Sequence, residues 1–194
     1  MAAAGQSRPS RTGADLSATD DFIVASRAAD GDSQAFEVLV RRYGKLMRFV
    51  ARNVLGSDDQ ADDVVQDTFV IAWQRLGTIA DPAAVRPWLM RIVTRCAIDT
   101  LRKQHPQVTL DETNHLPADE ASPAQQAESR ALNDAVAVSL LVLPADQRRC
   151  WVLRNVAGYS YHDMAEALSL PESTVRGLLA RARKHLIAEM EAWR

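Results

Sequence analysis

SYHDMAEALSLPESTVRGLLARARKHL, residues 160–186, is the most informative stretch of this chain. Ser160 followed three positions later by Asp163 is a capping-box-like start, in which each end of the pair satisfies a backbone N–H that a helix start leaves open. The spacing predicts a short helix over 161–168 and a turn at Ser169-Leu170-Pro171. Glu172 and Ser173 then open a last helix, with Ser173 suited to a cap. In that helix Val175, Leu178, Leu179, Ala182 and Leu186 recur at the three- and four-residue spacing of a buried stripe. Thr174, Arg176, Gly177, Ala180, Arg181 and Lys184 are left facing outward. Two helices with a tight turn and a basic outer face have the form of a helix-turn-helix. The start of a recognition helix points into the major groove, which places Ser173, Thr174 and Arg176 toward base edges. An arginine there can hold a guanine through two donors. Arg181, Arg183 and Lys184 lie further along and suit phosphates. The same spacing also fits an ordinary helical pair with a solvated basic face.

Upstream, Leu141, Leu143, Trp151, Val152 and Val156 outline two helices around a break at Pro144, and Gly158 suits a C-terminal cap. Before these, residues 104–126 hold Pro106, Pro117 and Pro123, several acids and few large apolar side chains, which is the composition of a linker. The N-terminal half reads as helical again. Ile23, Val24 and Ala28 precede a break at Asp30-Gly31-Asp32. Phe36, Leu39, Val40, Tyr43, Leu46, Met47 and Val50 then mark the buried face of a long helix, ended by Gly56-Ser57. Ser57 or Asp58 can cap the next helix, in which Val65, Phe69, Trp73 and Leu76 form the expected stripe. A loop over 77–82 leads to a further helix over about 83–103. Period-two alternation is scarce throughout. The expected fold is therefore all-α, with two small helical domains at 20–104 and 128–194, a linker at 105–127 and a disordered tail at 1–19.

Charge divides the N-terminal domain into two faces. Asp63, Gln66, Asp67 and Val70 share one side of their helix by the i, i+3, i+4 rule. Acids beside exposed apolar atoms suit a basic helix of another protein, although acids near a helix start also suit the helix dipole. The following helix has the opposite character. Trp88, Leu89, Ile92, Val93 and Cys96 are apolar, while Arg86, Arg91, Arg95, Arg102 and Lys103 are basic, with Asp99 among them. Such a face can follow a phosphate backbone or remain merely solvated. The loop before it can receive an unstacked base, as in single-strand binders.

The bulk numbers limit the function. The chain of 194 residues carries 23 Lys+Arg against 25 Asp+Glu, a formal net charge of -2. An independent nucleic-acid binder is usually basic, so DNA contact has to come from local patches or from a partner that helps hold the DNA. Cys96 and Cys150 form no metal-ligand spacing and read as small core residues, in keeping with a reducing cytoplasm. No cofactor or metal is expected. There is no Gly-rich phosphate loop, nucleophile elbow or metal-ligand cluster. His105, His115, His162 and His185 have no catalytic partner in sequence, so an enzyme is not expected. No apolar run is long enough to span a bilayer.

Taken together, the motifs resemble the sigma-seventy family of RNA polymerase sigma factors. Asp62-Asp63-Val64-Val65-Gln66-Asp67-Thr68-Phe69, with Ala72-Trp73, is similar to region 2.2. Pro87-Trp88-Leu89-Met90-Arg91-Ile92 and Ala97-Ile98-Asp99-Thr100-Leu101-Arg102 are similar to regions 2.3 and 2.4. Leu143-Pro144 with Gln147-Arg148, Gly158-Tyr159-Ser160-Tyr161, and Ser173-Thr174-Val175-Arg176 with Arg181-Ala182-Arg183 resemble region 4. The chain lacks regions 1.1 and 3, and so resembles the compact extracytoplasmic-function type. It departs from the family pattern at Thr94-Arg95, often Arg-Asn, and at Ser173, often Gly.

The resemblance implies a partner for each face. Asp63, Gln66 and Asp67 would bind the β′ clamp helices of core RNA polymerase. Arg86, Trp88, Arg91, Arg95, Asp99 and Arg102 would open and read the minus-ten element. Ser173, Thr174, Arg176, Gly177, Arg181 and Lys184 would bind the minus-thirty-five element. The β flap and an anti-sigma factor are further implied partners, and the cytoplasm the implied location. The competing reading is a conventional helix-turn-helix regulator that never joins polymerase. It would need a receiver, ligand or dimer domain in front, and the N-terminal block resembles none of these.

Overall fold

The computed structural model describes residues 16–104, 139–140 and 142–192. The expected linker at 105–127, most of the expected tail, Leu141, His105 and His115 lie outside the described residues. Among those described there are seven α-helices and short 3-10 turns, and no strand, so the all-α expectation holds.

Local chemistry sets each helix boundary in the first unit. Helix α1 spans Asp21–Ala29, with Asp20 accepting at its start from Phe22 N. Gly31, at φ 88, makes the sharp turn that follows. Asp32 then caps α2, Ser33–Leu55, through Gln34 N and Ala35 N. Its carboxyl is held below the usual range, first by the Arg27 hydrogen bond and then by the Ala35 N–H. Gly56, in the left-handed region, ends α2, and Ser57 caps α3, Asp58–Arg75. Two 3-10 turns, Leu76–Thr78 and Pro82–Ala84, occupy the expected loop. Helix α4, Val85–Gln104, follows. Pro87 sits in its first turn, where no intrahelical N–H bond is lost.

Helix α2 lies at the centre, packed on α1, α3 and α4. Leu39, Tyr43, Met47 and Val50 are buried on it as expected, and Phe36, Val40 and Leu46 are half-buried. The Asp21 carboxylate accepts from both Arg42 and Tyr43, which ties α1 to α2. Burial, helped by Asp21, pushes the Tyr43 hydroxyl up to about 12.

Helix α3 departs from its expected stripe. Its buried residues are Ala61, Val64, Thr68 and Ala72, while Val65 and Phe69 are half-buried. Trp73 is 43% exposed and lies edge-on to Phe36, centroids 4.9 Å apart. Small residues occupy the seam, and the Thr68 hydroxyl is satisfied by donating to Val64 O at 2.7 Å. The bulky residues therefore take the flank.

In the second unit α5 spans Ala145–Asn155, α6 Tyr161–Leu168 and α7 Glu172–Ala192. Gly158, at φ 74, lies past the end of α5, where Ala157 N and Tyr159 N turn back to Val152 O and Leu153 O. Cys150, Val152, Leu153, Met164, Val175, Leu178, Leu179 and Ala182 fill the core, and Leu186 packs half-buried at its edge. Burial pushes the Cys150 thiol up to about 12, as expected of an inert core residue.

The two units are in contact. Helix α5 lies on α2, and α6 approaches α4. Arg149 Nε donates to Val54 O at 2.8 Å. Arg102 Nη2 donates to Glu166 O and Ala167 O, each at 2.8 Å. The two-domain pattern of the sequence gives no sign of these contacts.

Candidate polymerase and nucleic-acid interfaces

The acids at the start of α3 divide into two sets. Asp58 and Asp62 turn back onto α2. Arg48 reaches Asp62 at 2.6 Å and Asp58 at 2.9 Å, and Arg52 reaches Asp58 at 3.3 Å. The Arg48 hydrogen bond holds the Asp62 carboxyl below the usual carboxylate range. Asp63, Gln66 and Asp67 point the other way and are exposed. Among the described residues neither Asp63 nor Asp67 forms a salt bridge. Val70, 53% exposed, and Trp73 continue the same side. The result is an acidic surface with an apolar edge, left free because other acids neutralise the arginines of α2.

Helix α4 buries Val85, Leu89, Met90, Val93, Thr94, Ala97, Ile98 and Leu101 and exposes Arg86, Arg91, Arg95, Asp99 and Arg102. Arg91, Arg95, Asp99 and Arg102 recur at helical spacing and form one stripe. Trp88, half-buried, joins Arg91 and Arg95 around a cavity of about 440 Å³, completed by Ile71, Arg75 and Ile92. An aromatic ring and apolar side chains beside three guanidinium groups suit a base with its phosphates. Arg86 lies off this stripe, near enough to Tyr43 for its charge to bear on that hydroxyl. Thr94 faces the core and is fully buried, so it cannot read a base where it stands. Arg75 comes from the end of α3. The sequence gives no sign of its place here, because it belongs to another helix and only the α3–α4 packing brings it to the cavity.

The helix-turn-helix forms from α6 and α7. Ser160 accepts from Asp163 N at 3.1 Å, and Asp163 Oδ2 accepts from Ser160 N at 3.0 Å, completing the capping box. The turn carries Ser169 in the left-handed region at φ 55. Helix α7 starts at Glu172, so Ser173 lies in its first turn and is not its cap. Ser173, Arg176, Arg181 and Lys184 are exposed, and Thr174 and Gly177 are half-buried. The Arg176 guanidinium lies over the Tyr161 ring, 5.1 Å from its centroid, and its Nη2 is 3.4 Å from Glu172 Oε2. Arg154 lies over the same ring at 5.1 Å and donates to Tyr159 O. Tyr161 and Arg154 therefore belong to this face. The sequence places them on other helices and gives no sign of the stacking. His162 is 3.5 Å from Glu172, and His185 is 2.9 Å from Gln147.

An acidic surface on α3, a basic stripe on α4 and a helix-turn-helix are combined in one chain. Two family profiles match it: Sigma-70 region 2 over residues 39–106, and Sigma-70, region 4, over 134–186. The chain belongs to the sigma-70 family of RNA polymerase sigma factors. The extracytoplasmic-function sigma factor SigM of Mycobacterium tuberculosis is 35% identical over 170 residues, covering 87% of this chain and 83% of SigM. The sigma factor CnrH of Cupriavidus metallidurans is 34% identical over 181 residues, covering 89% and 95%. The solved structure of CnrH in complex with the cytosolic domain of CnrY matches with a TM-score of 0.50 at 33% identity, covering 89% of this sigma factor and 97% of that chain. Among the described residues, no group of His, Cys, Asp or Glu is placed to hold a metal ion, and no helix is long and apolar enough to cross a membrane.

Proposed function

We propose that this sigma factor docks on core RNA polymerase through Asp63, Gln66 and Asp67 and reads promoters with two separate surfaces. The observation that carries the reading is the segregation of charge on adjacent helices: α3 offers unpaired acids, and α4 a basic stripe beside an aromatic cavity. The acidic face suits a basic helix such as the β′ clamp helices. Trp88, Arg91, Arg95, Asp99 and Arg102 meet the minus-ten element, joined by Arg75. Arg86, set apart from the stripe, meets only the flanking backbone. Ser173, Thr174, Arg176, Gly177, Arg181 and Lys184 meet the minus-thirty-five element, while the β flap supports the second unit from behind. The work is binding and DNA opening in the cytoplasm, with no covalent catalysis and no cofactor. An anti-sigma factor is the proposed regulator, supported by the CnrH–CnrY complex of a relative.

Fluorescence anisotropy on one promoter duplex at fixed salt, with and without core polymerase, tests this proposal. The expected result is weak binding alone, from a chain of net charge -2, and tight binding with core. Nanomolar, sequence-specific binding by the protein alone, unchanged by core, would favour the conventional regulator and overturn the proposal.

A further inference from the structure

We propose that His162 is a positioning residue for minus-thirty-five recognition: when charged, it takes up the Glu172 carboxylate and so frees Arg176 to reach a base. The inference rests on the assignment of Arg176 to the minus-thirty-five element given above.

One carboxylate stands between two cations of different kind. Glu172 opens α7, and Arg176 lies one turn further on, with its Nη2 3.4 Å from Glu172 Oε2. His162 comes from the first turn of α6, and its Nδ1 lies 3.5 Å from Glu172 Oε1. The two contacts use opposite oxygens of the same group. Arg176 also lies over the ring of Tyr161, the neighbour of His162 in the chain, at 5.1 Å from its centroid. The resting place of Arg176 is thus built from α6 and α7 together.

The two cations differ in when they carry charge. A guanidinium is always charged. An imidazole changes its charge within the physiological range of pH. At 3.5 Å the His162–Glu172 contact is too long for a good hydrogen bond, so it attracts only when the imidazole is protonated. The other charged groups around His162 are Asp163 and Glu166 on its own helix, Arg154 of α5, which shares the Tyr161 ring, and Arg91 of α4. The Asp163 carboxyl is held below its usual range first by its hydrogen bonds to Ser160, and His162 and Arg91 add to the effect. Asp163 is engaged in the capping box, which leaves Glu172 as the ion-pair partner of His162 among the described residues.

The consequence is felt when Arg176 leaves for a base edge. With His162 neutral, departure strands the Glu172 charge beside an incoming phosphate backbone. With His162 charged, Glu172 keeps a partner, and a carboxylate already paired holds a second cation less. This difference falls only on templates where Arg176 reaches a base, since elsewhere it stays against Tyr161 and Glu172. Falling pH therefore sharpens base discrimination at one minus-thirty-five position and does not raise all promoters alike.

The test is transcription at fixed salt by holoenzyme reconstituted from core polymerase and the full-length protein. The templates are the strongest promoter of a library and a variant of it, changed at the base pair whose preference is lost in Arg176→Ala. Both compete in one tube, so effects of pH on core polymerase cancel in the ratio of transcripts. For the wild type this ratio is expected to rise about twofold between about pH 8 and about pH 6, the scale of one exposed i, i+4 ion pair. His162→Gln should keep the ratio at the lower value at both pH values. His162→Lys, always charged, should keep it at the higher value at both. Loss of a merely structural role would not give opposite, pH-independent results from two substitutions of an exposed side chain. A wild-type ratio that does not change with pH, or a change that persists in His162→Gln, overturns the inference and leaves the assignment of Arg176 standing. If no base pair loses its preference in Arg176→Ala, that assignment fails and the inference with it.

Discussion

Arg176→Ala in α7 is expected to weaken recognition at one base pair of the minus-thirty-five element. In the free structure Arg176 rests on the Tyr161 ring at 5.1 Å and against Glu172 at 3.4 Å, with 65% of its side chain exposed. To reach a base edge it must leave one or both. An exposed cation–π contact contributes about 0.5–1 kcal/mol. An exposed i, i+4 ion pair contributes about 0.3–0.5 kcal/mol. A bidentate contact to guanine contributes about 1–3 kcal/mol of discrimination. Where the base contact outweighs both, the net loss on truncation is up to about 2 kcal/mol, or up to roughly 30-fold in promoter affinity. Glu172→Ala should act in the opposite direction, strengthening the same promoter about twofold by freeing Arg176 from its ion pair. Arg181→Ala should lower all promoters evenly, as loss of a phosphate contact does. The assay is transcription by the reconstituted holoenzyme on promoters that differ by single bases across the minus-thirty-five element. If Arg176→Ala and Arg181→Ala give the same sequence-independent loss, the division into a base reader and a backbone contact is wrong.

Three further outcomes are expected. Asp63→Arg with Asp67→Arg reverses an unpaired acidic face and should weaken core binding at least about tenfold at moderate salt, with a smaller loss at high salt; pull-down of core at two salt concentrations checks it, and equal binding with intact helicity removes the docking assignment. Ser169→Gly relieves a left-handed residue at φ 55 between α6 and α7 and should raise stability by about 0.5–1 kcal/mol in urea denaturation; a loss of stability would contradict the turn geometry. Asp32, Asp62 and Asp163 all have carboxyl groups held below 3.8 by their hydrogen-bond partners, Arg27, Arg48 and Ser160 first among them. Their contribution is therefore fully present above that value and is lost as pH falls through the lowered values. Acid unfolding followed by circular dichroism should begin below about pH 4 and become shallower in Asp32→Asn with Asp163→Asn, and an unchanged acid limb would show that these caps do not set it.

Much of the fold was legible because its boundaries are written in local chemistry. Ser160 and Asp163 mark the start of α6, Gly56 and Ser57 the passage from α2 to α3, and Gly31 with Asp32 the passage from α1 to α2. Each device works within three or four residues, so a linear reading can find it. The outward set Asp63, Gln66 and Asp67 was legible for the same reason, since helical periodicity alone puts them on one side. The buried seam of α3 was not. Counting bulky apolar residues favours Trp73, but close packing selects Ala61, Thr68 and Ala72, and a threonine that satisfies its own hydroxyl leaves no apolar signal. Ser173 suits a cap by residue type, but Pro171 already supplies a carbonyl to Val175 N, so the helix begins at Glu172 and Ser173 is its second residue. The contact between the units was invisible in sequence. Arg102 and Arg149 bind main-chain oxygens, and any residue type can supply those.

The most direct test of the central claim is transcription in vitro with purified core polymerase, this protein and a library of promoter templates. Transcripts that need both proteins, from templates sharing one minus-ten and one minus-thirty-five sequence at fixed spacing, are the predicted result. Core polymerase that gives the same transcripts with and without the protein would contradict the account.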